Sequence, residues 1–316
     1  MTARGTGATD RIWRDGALVE WDDATLHVMS HVVHYGSSIF EGIRCYRTPE
    51  GGAVFRLREH MRRFVDSARI YRMPMAYTVD QLCAAVVETI TANGLDECYI
   101  RPLAVRAGQE MGVNPINAPV ETFVILWKMG RYLGADALEQ GVDVTVSSWR
   151  RAAPGTLPMM AKAGGHYLAS QLTKLEAKAD DYVEGIMLDY AGHVAEGSGE
   201  NLFVVRDGVL HTAPLAASIL QGITRDTVVA IAQDLGYEVR ETVMPREMLY
   251  VADEVFFSGT AAELTPIRSV DRIPVGEGRR GPITAAIQER YLATVTGRAP
   301  DRRGWLTPVP AATHRS

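Results

Sequence analysis

The chain has 29 arginines but only four lysines: Lys128, Lys162, Lys174 and Lys178. Any lysine chemistry therefore has few candidates. Lys174 and Lys178 lie four apart on the polar face of an expected helix, beside Glu176 and Asp180, and read as solvated ion-pairing residues. Lys162 differs. It sits in "LPMMAKAGGHY", among methionine, alanine and glycine, where an ammonium has no obvious partner. Desolvation lowers a lysine's pKa and frees its amine as a nucleophile, the condition for a Schiff base. The competing reading of Lys162 is a side chain snorkelling at a domain edge.

A Schiff base implies an aldehyde cofactor. Pyridoxal phosphate would further require backbone N–H groups and an arginine for its phosphate, and a carboxylate for its pyridine nitrogen. "LQGITRDTVVAIA" offers Gly222 for close backbone approach and Thr224 at the start of a helix whose N-terminus attracts anions. "SGTAAELT" (258–265) is a second loop of small residues that could present N–H groups. For the carboxylate, "VAEGSGENLF" holds both Glu196 and Glu200, and the residues alone do not choose between them. Gly197-x-Gly199 is not a dinucleotide loop, because a strand pattern follows it instead of a helix. "HYGSSIFEGIRCYR" (34–47) adds aromatics and charges around two glycines, which suits a pocket for a molecule with an apolar part and a carboxylate.

Several elements must position these groups. "RIWRDGALVEW" reads as a hairpin turning at Asp15-Gly16. Apolar spacing predicts helices over 58–71 and 79–93, the second stopped by Asn93-Gly94. "CYIRPLAVRAG", "VDVTVSSW" and "DEVFFSG" read as strands, as do several segments between 185 and 213. A helix is expected over 165–179, with Leu168, Leu172 and Leu175 on one face, and a capped one over "TRDTVVAIAQDLG". The first ten and last nine residues read as frayed tails. The expected organisation is α+β in two domains: 1–127, an inter-domain loop 128–138, and 139–316.

The bulk numbers exclude other classes. Net charge is −5 with basic residues spread along the chain, so no nucleic acid or anionic membrane surface is expected as a partner. No apolar run reaches the length of a membrane span, and the start lacks a signal-peptide h-region. Cys45, Cys83 and Cys98 have no metal or redox spacing, and read as reduced thiols of a cytoplasmic protein. No histidine spacing suggests a metal.

Taken together and in order, "HYGSSIFEGIRCY", "YIRPL", "MGVNP", "MAKAGGHYL", "EGSGENLF", "GITRD" and "SGTAAE" resemble the branched-chain amino acid aminotransferases, within the fold type IV (D-amino acid aminotransferase-like) pyridoxal phosphate enzymes. The likeness runs from about Ile12 to Trp305. It implies a small N-terminal α+β domain, a larger C-terminal α/β domain and pyridoxal 5′-phosphate at the domain interface. By resemblance, Lys162 forms the Schiff base and shuttles the proton, Glu196 pairs with the pyridine nitrogen, and Tyr167 meets the phenolic oxygen. Arg63, Ile223 and Thr224 hold the phosphate. Thr260, also a cofactor contact, joins Ala261 and Tyr99 at the substrate α-carboxylate. Tyr35, Phe40, Arg44, Arg101, Met111, Val113 and Tyr132 line the substrate pocket.

The implied reaction moves the amino group of leucine, isoleucine or valine to 2-oxoglutarate in ping-pong fashion, yielding L-glutamate and branched-chain 2-oxo acids. The resemblance also implies at least a homodimer, with three dimers joining as a hexamer a further option. The rival readings are a D-amino acid aminotransferase or (R)-amine transaminase, an aminodeoxychorismate lyase, and a cofactor-binding module without turnover. The D-specific relatives use an Arg-x-His pair that is missing between 95 and 115. Met159, Met160, Lys128 and Met129 depart from the residues common in the family at those places.

Overall fold

The structure, a computed structural model of the chain, describes residues 7–128 and 136–310. It has two compact units. The first comprises the described residues of Met1–Gly130 together with Ala161–Gly165 and the end of the chain from Thr294. The second comprises those of Arg131–Met160 together with His166–Ala293.

An eight-stranded sheet builds the first unit. The expected hairpin is present, Arg11–Arg14 pairing with Ala17–Glu20 across Asp15-Gly16. The long strand Cys98–Arg106 organises the rest. It pairs along its whole length with Val120–Trp127, Tyr99 opposite Trp127 and Arg106 opposite Val120. Its other edge is shared by two short strands: Ile43–Thr48 sets Arg44 opposite Tyr99, and Ser38–Phe40 sets Phe40 opposite Leu103. Residues 34–47 are thus drawn onto the strand that carries Tyr99 and Arg101.

Helices Leu57–Ile70 and Val79–Ala92 lie within a residue of their expected bounds. Their apolar stripes, with Leu57, Met61 and Phe64 on one and Leu82, Val86 and Ile90 on the other, join Ile43, Val54 and Ile100 in one core. Each such fully buried side chain contributes about 1.5–3 kcal/mol. The second helix starts at a capping box, in which Thr78 and Gln81 satisfy each other's backbone N–H groups.

Of the tails expected to fray, residues 1–6 and 311–316 lie outside those described, and the described residues next to them join the sheet. Thr9 is buried and its hydroxyl donates to Leu126 O at 3.2 Å. Leu306–Pro308 forms a strand on Gly51–Phe55, and Val309 N–H donates to Gly52 O at 2.8 Å. Short polar segments look frayed in sequence, but unpaired sheet edges accept them. Of the expected loop 128–138, residues 129–135 lie outside those described.

A nine-stranded mixed sheet builds the second unit. Val142–Arg150 runs parallel to both Glu184–Leu188 and Glu263–Val270, while Asn201–Arg206 and Glu254–Gly259 pair antiparallel. Helix Tyr167–Ala179 turns its leucine face outward. It buries Ser170, Thr173 and Ala177 and leaves Leu168 and Leu175 65% and 66% exposed. Small residues win the inner face because the helix approaches the sheet closely: a Cβ on Gly185 would lie 2.6 Å from Thr173 Cγ2.

Lys174 also departs from its expected solvated pairing. Its Nζ meets the fully buried Glu184 Oε2 at 2.6 Å and donates to Val183 O at 2.8 Å, whereas Glu176 is taken by Ser147 and Ser148. Glu200 is buried near Glu184 and accepts from Gly199 N–H at 3.1 Å. Burial, then the Glu184 charge, push the Glu200 carboxyl up to about 8.

That shift has a measurable consequence. The folded chain retains a proton that unfolded Glu200 releases above its ordinary value of 4.5. The resulting stability is fully present below the unfolded pKa and is lost as pH rises through about 8. Glu200→Gln cannot ionise and should escape this loss. Between about pH 5 and about pH 9 its melting temperature should rise relative to the parent by roughly 2–4 °C or more, the equivalent of about 1 kcal/mol. Parallel pH profiles in differential scanning calorimetry would rule the buried proton out.

Candidate active site

In the first unit, the Lys162 segment behaves as an added strand. Ala163 bridges to Ile39, Phe40 N–H donates to Lys162 O at 3.0 Å, and Lys162 N–H donates to Ser67 Oγ at 3.0 Å. The backbone of the lysine is thereby fixed on both sides. Its Nζ lies 5.0 Å from the centre of the Phe40 ring. The Arg101 guanidinium lies over the same ring at 4.5 Å, and within 5.5 Å of Tyr99 and 5.4 Å of Trp127. Arg101 Nη2 donates to the Tyr99 hydroxyl at 3.3 Å, while its Nε is buried without a hydrogen-bond partner. Among the described residues no carboxylate pairs with it.

Glu41 lies two residues before the strand Ile43–Thr48. It is 0% exposed and is matched by Arg63, with Nε–Oε1 at 2.6 Å and Nη2–Oε2 at 2.9 Å, and by His60 Nδ1 at 2.7 Å. Burial opposes its ionisation, but Arg63 and His60 outweigh that and hold the carboxyl well below the usual range. Burial pushes His60 down, against the Glu41 charge, and the charges of Arg63 and Lys162 add to the fall. Two arginine positions of the fork are therefore fixed by Glu41, and the guanidinium has a set direction.

The remaining first-unit residues are more dispersed. Tyr35 closes a short helix, His31–Tyr35, and its hydroxyl accepts from Gly112 N–H at 3.3 Å, which ties it to the loop of Met111 and Val113. Those two side chains are 64% and 79% exposed. Arg44 lies over Tyr46 at 5.0 Å and 4.0 Å from Glu97. Tyr132 lies outside the described residues.

In the second unit, Glu196 stands on the strand Val194–Gly197 opposite Asn201. Its Oε2 accepts from Asn201 Nδ2 at 3.0 Å and from Leu220 N–H at 3.1 Å, and its Oε1 meets Arg151 Nη2 at 2.8 Å. Asn201 Nδ2 also donates to Leu220 O at 2.9 Å. Gly222 is the N-cap of helix Ile223–Asp234 and, as a glycine, offers no side chain to cap it. A Cβ on Gly222 would fall 1.9 Å from Asn201 Oδ1, so only glycine leaves Asn201 in place. Thr260 and Ala261 form the half-buried turn between strands Glu254–Gly259 and Glu263–Val270, beside Ser258, whose buried hydroxyl has no partner. Tyr167 opens its helix half-buried.

Each unit thus contributes chemistry suited to an anionic, ring-bearing cofactor. The second holds a buried carboxylate, Glu196, and a glycine-started helix N-terminus, which could serve a ring nitrogen and a phosphate. The first offers a lysine amine and two oriented guanidinium groups. Sequence reasoning did not find Arg151, His60, Ser67 or Trp127. Only strand alternation through "VSSWRR" could have flagged an inward arginine, and it names no partner.

A family model described as "Amino-transferase class IV" matches residues 38–270. The branched-chain-amino-acid aminotransferase of Salmonella typhimurium is 54% identical over 305 residues, covering 96% of this chain and 99% of that protein. The crystal structure of the Escherichia coli branched-chain amino acid aminotransferase is 54% identical, with a TM-score of 0.94 over 96% of this chain and 100% of that one. A third relative, the T.th. branched-chain amino acid aminotransferase complexed with N-(5′-phosphopyridoxyl)-L-glutamate, is 46% identical, with a TM-score of 0.92 over 97% of this chain and 100% of that one. This chain belongs to the class IV aminotransferases and, within them, to the branched-chain-amino-acid aminotransferases.

Proposed function

We propose that the chain transfers the amino group of L-leucine, L-isoleucine or L-valine to 2-oxoglutarate by a ping-pong mechanism, with pyridoxal 5′-phosphate covalently held at Lys162. Family membership supports the reaction, and the phosphopyridoxyl-glutamate complex of a relative supports both cofactor and glutamate. One observation carries the substrate reading. A single aromatic ring, Phe40, bears Lys162 Nζ on one contact and Arg101 on another, and Arg101 has no carboxylate partner among the described residues. Such a site accepts an alkyl side chain against the ring or a carboxylate against the guanidinium.

When bound, the cofactor supplies an aldehyde for the lysine amine and an electron sink for the α-carbon. Lys162 is the group that would hold the cofactor's aldehyde and move the proton at the substrate α-carbon. Glu196 keeps the ring nitrogen's proton in place, a role unsuited to Glu200, which burial keeps protonated. Tyr167 hydrogen-bonds the phenolic oxygen. Arg63, aimed by Glu41, works with the N–H groups of Ile223 and Thr224 on the phosphate, Thr260 assisting. Thr260, Ala261 and Tyr99 orient the α-carboxylate. Arg101, with Tyr35 and Tyr132, receives the distal carboxylate of glutamate, and Phe40, Arg44, Met111 and Val113 shape the side-chain pocket.

Residues 1–127 act as the substrate-side domain and 139–316 as the cofactor domain, joined by 128–138, except that Ala161–Gly165 and the described residues from Thr294 belong to the first compact unit. We assign at least a homodimer, since Met111, Val113 and Ile116 form an exposed apolar loop that a second copy would cover. Three free cysteines and no described helix long and apolar enough to cross a membrane support a cytoplasmic setting.

Single-turnover absorbance with L-leucine and L-glutamate should show cofactor conversion for both, and none with D-leucine. Borohydride reduction should then fix the cofactor to one peptide, that of Lys162, and Lys162→Ala should lose the half-reaction. Label on Lys128, Lys174 or Lys178 would overturn the assignment.

A further inference from the structure

Glu196 is a buried carboxylate in acidic company. Burial, the Glu184 charge and, more weakly, the Glu196 charge drive Glu200 to keep its proton, while the Lys174 charge acts the other way. A carboxylate placed among these groups and removed from water would itself tend to take up a proton. What sets Glu196 apart is Arg151. Its Nη2 lies 2.8 Å from Glu196 Oε1, and both side chains are only 7% exposed. The guanidinium is not free to wander: its Nε–H donates to Ser218 O at 3.0 Å, and the residue's backbone N–H donates to Leu188 O at 2.9 Å. Neutral donors, Asn201 Nδ2 and Leu220 N–H, take the other oxygen.

Two bases then compete for one proton, a carboxylate and a pyridine nitrogen, and the proton rests on the stronger. A permanently charged guanidinium at hydrogen-bond distance makes the carboxylate the weaker base without removing its negative charge. We propose that Arg151 is a positioning residue that keeps Glu196 an anion, so that the proton shared with the cofactor's ring nitrogen stays on the ring. This rests on the reading that Glu196 meets that nitrogen. Arg151 also holds Ser218, and Glu196 holds Leu220, on the segment that runs into Gly222 and the helix it starts. The same contacts therefore anchor the ring partner to the chain that leads into the phosphate-facing helix start.

The test uses holoenzyme loaded with pyridoxal 5′-phosphate labelled with nitrogen-15 in the ring, observed by nitrogen-15 NMR at about neutral pH. The parent should show a protonated ring nitrogen. Arg151→Met should move the signal toward the unprotonated position and lower kcat about ten- to a hundredfold with KM for leucine little changed. Arg151→Lys, which keeps the charge, should restore the protonated signal. Should the Met variant fail to fold, Arg151→Gln gives the same reading, since it keeps a donor for Ser218 without the charge. Glu196→Gln is the control for the underlying assignment. If Glu196→Gln shifts the signal and the uncharged Arg151 variants do not, Arg151 is merely structural and the inference fails. If Glu196→Gln leaves the signal unmoved as well, Glu196 does not meet the ring nitrogen, and the assignment beneath the inference fails with it.

Discussion

A site for anionic ligands needs cations that are held in place yet not neutralised. Carboxylates are the usual way to position an arginine, and they would cancel the charge the ligand requires. Aromatic faces avoid this. Phe40 carries Arg101 at 4.5 Å, with Tyr99 and Trp127 closing around the guanidinium. Each cation–π contact contributes about 0.5–2 kcal/mol, enough to orient a side chain and too little to compete with an incoming carboxylate. The sheet register that sets Ser38–Phe40 beside Cys98–Arg106 is what makes this possible.

The same constraint explains the one carboxylate in the motif. Glu41 is fully buried, and it occupies Arg63 and His60 rather than Arg101 or Lys162. Bidentate pairing fixes the plane of the Arg63 guanidinium. In the second unit the problem is reversed, because negative charge must be preserved at one glutamate and suppressed at another. Glu196 receives an arginine and two neutral donors. Glu200 receives one backbone N–H and a carboxylate neighbour, and keeps its proton. Two similar side chains four residues apart acquire different partners from their surroundings alone.

Much of this was legible in the sequence. The helices over Leu57–Ile70 and Val79–Ala92 follow from apolar periodicity and the Asn93-Gly94 stop, and the first hairpin from Asp15-Gly16. Lysine scarcity singled out Lys162, and the glycine-bounded turns singled out Glu196, Glu200 and Gly222. What escaped depends on partners far apart in the chain. Nothing local says that Lys174 turns to Glu184 instead of Glu176, or that Arg151 turns to Glu196. The outward face of Leu168 and Leu175 escaped because amphipathic spacing identifies a stripe, not the side a sheet takes; Thr173 against Gly185 decided that. The pairing of Leu306–Pro308 escaped because edge pairing is a property of the assembled sheet.

The central claim is that Arg101 is an aromatic-clamped cation reserved for a substrate carboxylate. Single-turnover conversion of the cofactor by L-glutamate and by L-leucine, compared in Arg101→Met, tests it most directly. A charged hydrogen bond contributes about 1.5–3 kcal/mol, so the glutamate half-reaction should weaken by roughly ten- to a hundredfold. Leucine has no distal charge, and its half-reaction should stay unchanged or improve as a guanidinium no longer has to be desolvated beside an alkyl chain. Equal losses with both donors would contradict the account, for Arg101 would then be supporting the pocket or binding the α-carboxylate.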